Sequence, residues 1–407
     1  MRRDAHVKTF VKWEKTNITA KPNFVPRVIQ PRSPRFNVEL GKFLAKVEKQ
    51  MMSAIDSTFG YPVVMSGYNA SQQGQIFYES WNSFSDPVAI GLDAKRFDQH
   101  VSTTALQWEH ERWLPWFTGN DRKYLEKLLR MQLTNHGTGR TKDGRIKYHV
   151  DGKRMSGDMN TSSGNKLLMC GMLYSYLKKR NITKHRVLNN GDDCMVIVER
   201  YQYRQFINGI NHWFERMGFD MQVEKPVFRL EELEFCQSRP VFDGNSWRMV
   251  RNYPLALDKD SNCFIQSPTM RTTKRWMAGV GKAGLSLTGG IPIAQELYMA
   301  YVRNSKDYTP TKLDPNIGLA RLSFGMSERY RQITPQCRAS FYAAFGITPD
   351  VQIICEKTFR AWHLESNQNH RLKTGVLSSG LGRLLELARC PELGPNRHCP
   401  GAEVMLT

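Results

Sequence analysis

The sequence predicts an α+β protein, a core of strands and helices joined to a mainly helical C-terminal part. Two short apolar runs, Val187-Leu188 and Met195-Val196-Ile197-Val198, flank Gly191-Asp192-Asp193. That is the pattern of a tight β-hairpin with carboxylates at its tip, not of a solvated loop. Pro87-Val88-Ala89-Ile90-Gly91-Leu92-Asp93 reads as another strand ending in an acid, and Ser102 to Trp113 as a helix after it. After Arg239 the pattern changes, and 291–302 has a helical rhythm.

The elements follow in order. Residues 1–50 carry twelve Lys or Arg against four acids, with prolines at 22, 26, 31 and 34. Proline disfavours helix at the residue before it, so this segment is expected in extended or irregular pieces. Basic side chains on such backbone suit the lining of a channel that guides phosphates. A helix is expected from Val38 to Met52, with Leu40, Phe43, Leu44 and Val47 on one face. Residues 114–150 read as a helix and then a pair of strands turning at Thr141-Lys142-Asp143-Gly144. Met155 to Gly164 reads as a polar loop that feeds a helix from Asn165 to about Lys179, and a further helix is expected from Tyr203 to Met217. The last twenty residues, rich in Pro and Gly, read as a loose tail.

Over 407 residues, 58 Lys and Arg face 38 acids, a formal charge of +20. Such a surplus points to a polyanionic partner, nucleic acid before an anionic membrane surface. The eight cysteines (170, 194, 236, 263, 337, 355, 390, 399) form no CxxC pair, which favours reduced thiols over a disulfide frame. Cys390, His398 and Cys399 are too loosely spaced for a zinc site. The N-terminal MRRDAHVKTF lacks an apolar signal core, and no stretch approaches 18 apolar residues. Without a secretory segment, the acceptor patterns at Asn17, Asn160 and Asn181 read as chance matches.

Asp93 ends one strand, and Asp192 and Asp193 sit on a hairpin able to pair beside it, so the three acids ask for a joint reading. Strand ends brought together could share two hard cations about 3.5–4 Å apart. Mg²⁺ suits this, because it takes one or two carboxylates and fills the remaining positions from water and phosphate. In the loop, Gly157 and Gly164 permit backbone close to a ligand, and Ser156, Thr161 and Asn165 offer hydrogen-bonding groups suited either to a sugar hydroxyl or to a helix cap.

These residues carry a family resemblance. Asp93-Ala-Lys-Arg-Phe-Asp98, Ser156-Gly-Asp-Met-Asn-Thr161-Ser-Ser-Gly-Asn165 and Asn190-Gly-Asp-Asp193 resemble, in order, the three palm motifs of viral RNA-dependent RNA polymerases, most closely the tombusvirus-like replicases of carmovirus and its relatives. The basic stretch from Lys12 to Arg35 resembles that family's fingers motif for incoming nucleotides, and Leu233 to Ser238 its palm–thumb junction. The resemblance is strong over residues 8–240 and weaker beyond.

The resemblance implies a right-hand polymerase with an antiparallel palm sheet plus helices, partial fingers and a mainly helical thumb. It assigns 1–86 and 115–150 to fingers, 87–114 and 151–239 to palm, and 240–407 to thumb and tail. Asp93 and Asp192 would be the principal ligands of Mg²⁺, or of Mn²⁺, with Asp193 assisting. Asp98 and Asn165, with Thr161, would read the ribose 2′-hydroxyl, and Ser156 and Gly157 would position nucleotide or template. Lys12, Lys15, Arg27, Arg32 and Arg35 are the candidates for triphosphate and RNA, and Lys225 for the acid that protonates pyrophosphate. Implied partners are single-stranded RNA template, nascent RNA, ribonucleoside triphosphates, a viral auxiliary replicase protein and host factors. The implied place is the host cytoplasm, at membrane-associated complexes reached through other segments or partners. The family's replicases carry a long region before the fingers motif, which here begins near residue 8. That departure implies a truncated or alternatively derived form, or fingers supplied differently. Another palm polymerase, such as a reverse transcriptase, and an inactive RNA-binding scaffold are the competing readings.

Overall fold

The computed structural model describes residues 3–12, 14, 25–261, 269–305, 308 and 318–363. The chain divides into two compact units, Met1–Gly67 with Phe84–Val227, and Tyr68–Ser83 with Phe228–Thr407. Lys15 and the tail that holds Cys390, His398 and Cys399 lie outside the described residues, as does Asn17.

The first unit opens with β1 (Val7–Val11), β2 (Val28–Ile29) and α1 (Pro34–Phe59). Helix α1 is longer than its sequence pattern predicts. Pro34 stands at its first position, where the missing N–H costs nothing, and the Ser33 side chain accepts the Phe36 N–H. Gly60 ends it in the left-handed region. Its buried stripe of Phe36, Leu40, Phe43, Leu44, Val47, Met51 and Ile55 follows the 3.6-residue period and enters the core of this unit.

Past residue 83 come β3 (Pro87–Ala94), a single turn over Phe97–His100, and then the helix Thr103–Trp113. The helix Gly119–Arg130 leads to the hairpin β4 (Thr134–Arg140) and β5 (Arg145–Asp151), which turns over residues 141–144 as its sequence predicts. β6 (His185–Asn190), β7 (Asp193–Glu199) and β8 (Met221–Val223) complete the strands of this unit.

Two sheets result. One has the order β2-β1-β4-β5, with a parallel β1–β4 pair. The other, β6-β7-β3-β8, is antiparallel throughout. Val88, Ile90, Val196 and Val198 are all wholly buried in its core. Each such side chain contributes about 1.5–3 kcal/mol on leaving water.

Two expectations are corrected here. The helix entering from the polar loop spans Thr161–Lys179, so Gly164 and Asn165 are helical rather than its threshold. Gly164 is there for space, not to break the helix. The helix expected from Tyr203 to Met217 is interrupted at Gly209 (φ 87°), leaving Tyr203–Ile207 and Ile210–Arg216.

The second unit takes in the helix Ala70–Asn82, which lies within 1–86, the stretch that the family resemblance assigns to fingers. It rests on a hairpin of Ser238–Phe242 and Trp247–Arg251, with Tyr78 stacked on Trp247 at 5.3 Å. Gly74 permits the approach, since a Cβ there would come within 2.5 Å of the Arg248 backbone. Helices follow, chiefly Met270–Thr288, Ala294–Asn304, Pro335–Phe345 and Pro349–Arg360. Among the described residues no helix is long and apolar enough to cross a membrane.

Glu199, at the end of β7, ties the antiparallel sheet to the turn before β3. It takes Lys184 Nζ at 2.6 Å and the backbone N–H groups of Ser85 and Asp86, each at 3.0 Å. Lys184 first, then those N–H groups, hold its carboxyl down at about 2. A depressed carboxyl stabilises the fold above its unfolded value and loses that contribution as pH falls through its folded one. Glu199→Gln is therefore expected to lower the melting temperature at neutral pH. Its gap from the parent should close between about pH 4.5 and 2, as thermal unfolding across that range would show.

Candidate active site

The register of β3 and β7 sets Asp93 directly opposite Asp193. Asn190 pairs with Asp193, leaving Gly191 and Asp192 as a two-residue turn. Gly191 adopts φ 96°, a conformation glycine takes without strain. Asn189, wholly buried, pins the turn from beneath: its Nδ2 donates to the Gly191 carbonyl at 2.8 Å, and its Oδ1 accepts the Gly191 N–H at 3.0 Å. All three acids are exposed, while Leu92 and Cys194 beside them are buried. Acidic heads on an apolar base follow from strand alternation at the sheet's end.

On its other side Asp93 faces Gln222 of β8. Beyond it the Glu224 carboxylate covers Gly91, where a Cβ would come within 1.9 Å of Oε2. Gly91 is thus the space a further carboxylate occupies, two residues along the strand from Asp93. Leu92 pairs with Val223, but Ala89 pairs with Val227, so one extra residue bulges out between them. Lys225 and Pro226 form that bulge, and Lys225 is exposed on it. Bulges of this kind re-aim side chains beside active sites.

Asp98 and Asn165 meet, as their motifs lead one to expect: Asn165 Nδ2 donates to Asp98 Oδ1 at 2.8 Å. Burial pushes the Asp98 carboxyl up, the Asn165 bond and the Arg154 charge pull it back, and Asp192 adds an upward push. A Cβ on Gly191 would lie 3.8 Å from Asn165 Cβ, so the hairpin tip rests against this pair. Arg27 also feels the Asp192 charge. The acidic tip, the Asp98–Asn165 pair and one arm cation therefore share a single locality.

Several residues expected to face a ligand instead build the loop. Arg32 is a correction: its side chain is fully buried, bonded to Asp158 at 2.6 Å, Asn135 at 2.5 Å and the Ala5 carbonyl at 2.7 Å. A guanidinium enclosed in this way is committed to the fold rather than open to phosphate. Gly157 is small because of Pro31, whose Cα would lie 2.5 Å from a Cβ there. Ser156 Oγ accepts the Gln30 N–H at 3.2 Å, and Thr161 Oγ1 donates to the Met155 carbonyl at 2.9 Å. Arg35 is exposed on the first turn of α1.

Lys12 and Arg27 converge on Glu14, Lys12 Nζ at 3.2 Å and Arg27 Nε at 2.6 Å. Arg27 first, then Lys12, holds the Glu14 carboxyl down at about 2.

Among the described residues no three Asp, Glu, His or Cys side chains converge closely enough to hold a metal ion unaided. The donor set nevertheless fits a hard divalent cation, which is content with one or two carboxylates and completes its shell from water and phosphate. Sequence reasoning missed Asn189 and Glu224. Asn189 stands two residues before Gly191, and the fold alone shows that it holds the turn and that Glu224 covers Gly91.

The family described as viral RNA-dependent RNA polymerase matches residues 1–367. The RNA-directed RNA polymerase of cucumber necrosis virus is 44% identical over 363 residues, which are 89% of this chain and 44% of the relative. That of carnation mottle virus is 43% identical over 372 residues, 90% of this chain and 48% of the relative. That of tobacco necrosis virus (strain A) is 45% identical over 366 residues, 89% of this chain and 50% of the relative. The chain spans about half the length of these curated relatives. By the family model over residues 1–367 and the identity to these relatives, the chain belongs to the viral RNA-dependent RNA polymerases.

Proposed function

We propose that this chain performs template-directed RNA synthesis. The 3′-hydroxyl of the growing strand attacks the α-phosphate of a ribonucleoside triphosphate; the new P–O bond forms as the bond to pyrophosphate breaks. The observation that carries this reading is the Asp93–Asp193 register, with Asp192 at the turn and the Asp98–Asn165 pair against it. On this reading β6-β7-β3-β8 and the helices Thr103–Trp113 and Thr161–Lys179 are palm, the β2-β1-β4-β5 sheet is fingers, and the C-terminal helices are thumb.

Asp93 and Asp192, assisted by Asp193, would hold Mg²⁺ or Mn²⁺. Bound there, such a cation acidifies the attacking hydroxyl and neutralises charge on the leaving pyrophosphate. Asp98 accepts the ribose 2′-hydroxyl, with Asn165 steadying it and Thr161 setting the loop alongside. Ser156 and Gly157 position nucleotide or template by anchoring that loop to the arm. Lys12 and Arg27 meet the triphosphate in competition with Glu14, and Arg35 and Lys15 supply positive charge for RNA. Lys225, lifted on its bulge, donates a proton to pyrophosphate. Partners on this reading are RNA template and product, ribonucleoside triphosphates, an auxiliary replicase protein and host factors, in the host cytoplasm at membrane-associated complexes.

The test is incorporation on defined RNA templates with a divalent cation present. Uptake should follow template composition, and uptake indifferent to it would overturn the reading. A reverse transcriptase would take deoxyribonucleotides, against which the Asp98–Asn165 pair argues. Asp98→Ala and Asn165→Ala are each expected to narrow the preference for NTP over dNTP roughly tenfold or more, since a buried hydroxyl-reading bond is lost. Steady-state kinetics with both sugars checks it, and unaltered discrimination in both folded variants would refute the sugar-reading role.

A further inference from the structure

We propose that Arg154, seated on Glu109, is a positioning residue for sugar selection, because it fixes the orientation of the Asn165 carboxamide. This rests on the assignment of Asp98 and Asn165 to the ribose 2′-hydroxyl. Glu109 stands on the helix Thr103–Trp113 and is wholly buried, and Arg154 is 2% exposed. The Glu109 carboxylate is fully engaged: Oε2 accepts Arg154 Nη2 at 2.5 Å, and Oε1 accepts Asn160 Nδ2 at 2.7 Å and Trp113 Nε1 at 3.1 Å. Helix Thr161–Lys179 presses on this pair at Gly164, where a Cβ would come within 2.6 Å of both Arg154 Nη2 and Glu109 Oε1. The guanidinium is thereby held at Nη2, which bonds Glu109 and has the helix backbone packed against it.

From that fixed plane a second donor, Nε, reaches Asn165 Oδ1 at 3.0 Å, and the Arg154 backbone N–H donates to the Asp98 carbonyl at 2.9 Å. A guanidinium carries donors only, so the carboxamide must offer it oxygen. The nitrogen then faces Asp98 Oδ1, and the second Asp98 oxygen lies outside this chain of bonds. Held at both ends, Asn165 cannot swing with its ligand; held by Asp98 alone, it can. Lysine could answer the Glu109 charge, but it has no rigid fork with which to reach Asn165 as well. The arginine is therefore needed for orientation beyond charge balance.

The test uses the full chain with RNA template and Mg²⁺, comparing kcat/KM for NTP and dNTP. Arg154→Lys should lower the ribonucleotide value roughly tenfold, the worth of one hydrogen bond. It should spare the deoxyribonucleotide value, because that sugar has no 2′-hydroxyl to read. Added to Asn165→Ala, it should not change the ratio further. A folded Arg154→Lys with the parental ratio, beside an Asn165→Ala that narrows it, overturns the proposal and leaves the sugar-reading assignment standing. Equal losses for both sugars also overturn it, since they mark a merely structural role. A parental ratio in Asn165→Ala removes the underlying assignment, and the proposal with it. Should Arg154→Lys fail to fold, Glu109→Gln with Arg154→Met removes both buried charges together while the glutamine oxygen still accepts from Asn160 and Trp113. It should narrow the ratio, and a parental ratio there refutes the proposal.

Discussion

Asp192→Ala is expected to cut metal-dependent nucleotide incorporation by roughly 10³-fold or more, the scale of losing one preorganised charge-stabilising group. The size of the effect follows from position. Asp192 is exposed at the turn, and the turn is held by Gly191 and Asn189 rather than by the Asp192 side chain. Alanine there should leave the hairpin intact while it removes an exposed charge that the proposed reading assigns to metal binding. RNA binding should persist with its salt dependence, because a surplus of +20 is spread over many Lys and Arg. Filter binding across a salt series, beside incorporation by the same folded variant, checks both halves. Incorporation at the parental rate would end the catalytic assignment. Asp193→Ala should cost less, since on this reading Asp193 only assists.

Arg32→Ala is expected to destabilise the fold by about 3–5 kcal/mol, the cost of stranding one member of a buried ion pair. It would leave Asp158 without its partner and Asn135 without its donor, in a site closed to water. Denaturant unfolding measures the shift in midpoint. If Arg32 instead touched triphosphate, as its place in the basic arm leads one to expect, the variant would keep its stability and raise KM for NTP. The two outcomes do not overlap.

Much of the site was legible because chemistry there is written in adjacent residues. The hairpin around Gly191-Asp192-Asp193 and the strand that carries Asp93 follow from apolar runs, and the family resemblance gives Asp98 and Asn165 a shared role. What stayed hidden was the duty of groups whose partners lie far along the chain. Arg32 in a basic arm looks free, and only its enclosure by Asp158, Asn135 and Ala5, distant in sequence, shows otherwise. Gly157 and Gly164 look like ligand-facing glycines, yet they yield to Pro31 and to the Glu109–Arg154 pair. The helix Ala70–Asn82 packs on a hairpin some 160 residues later, which no local pattern announces.

The cross-strand pairing of Asp93 with Asp193 also decides how such a centre can vary. Backbone hydrogen bonds set the separation of the two acids, and side-chain direction alternates with each residue. A one-residue slip between β3 and β7 would turn one acid under the sheet while the other stayed on top. A side-chain replacement beside this centre leaves the register as it is, whereas a change in strand length shifts it. An insertion within 87–93 or 193–199 would break the pairing that sets the two acids opposite each other.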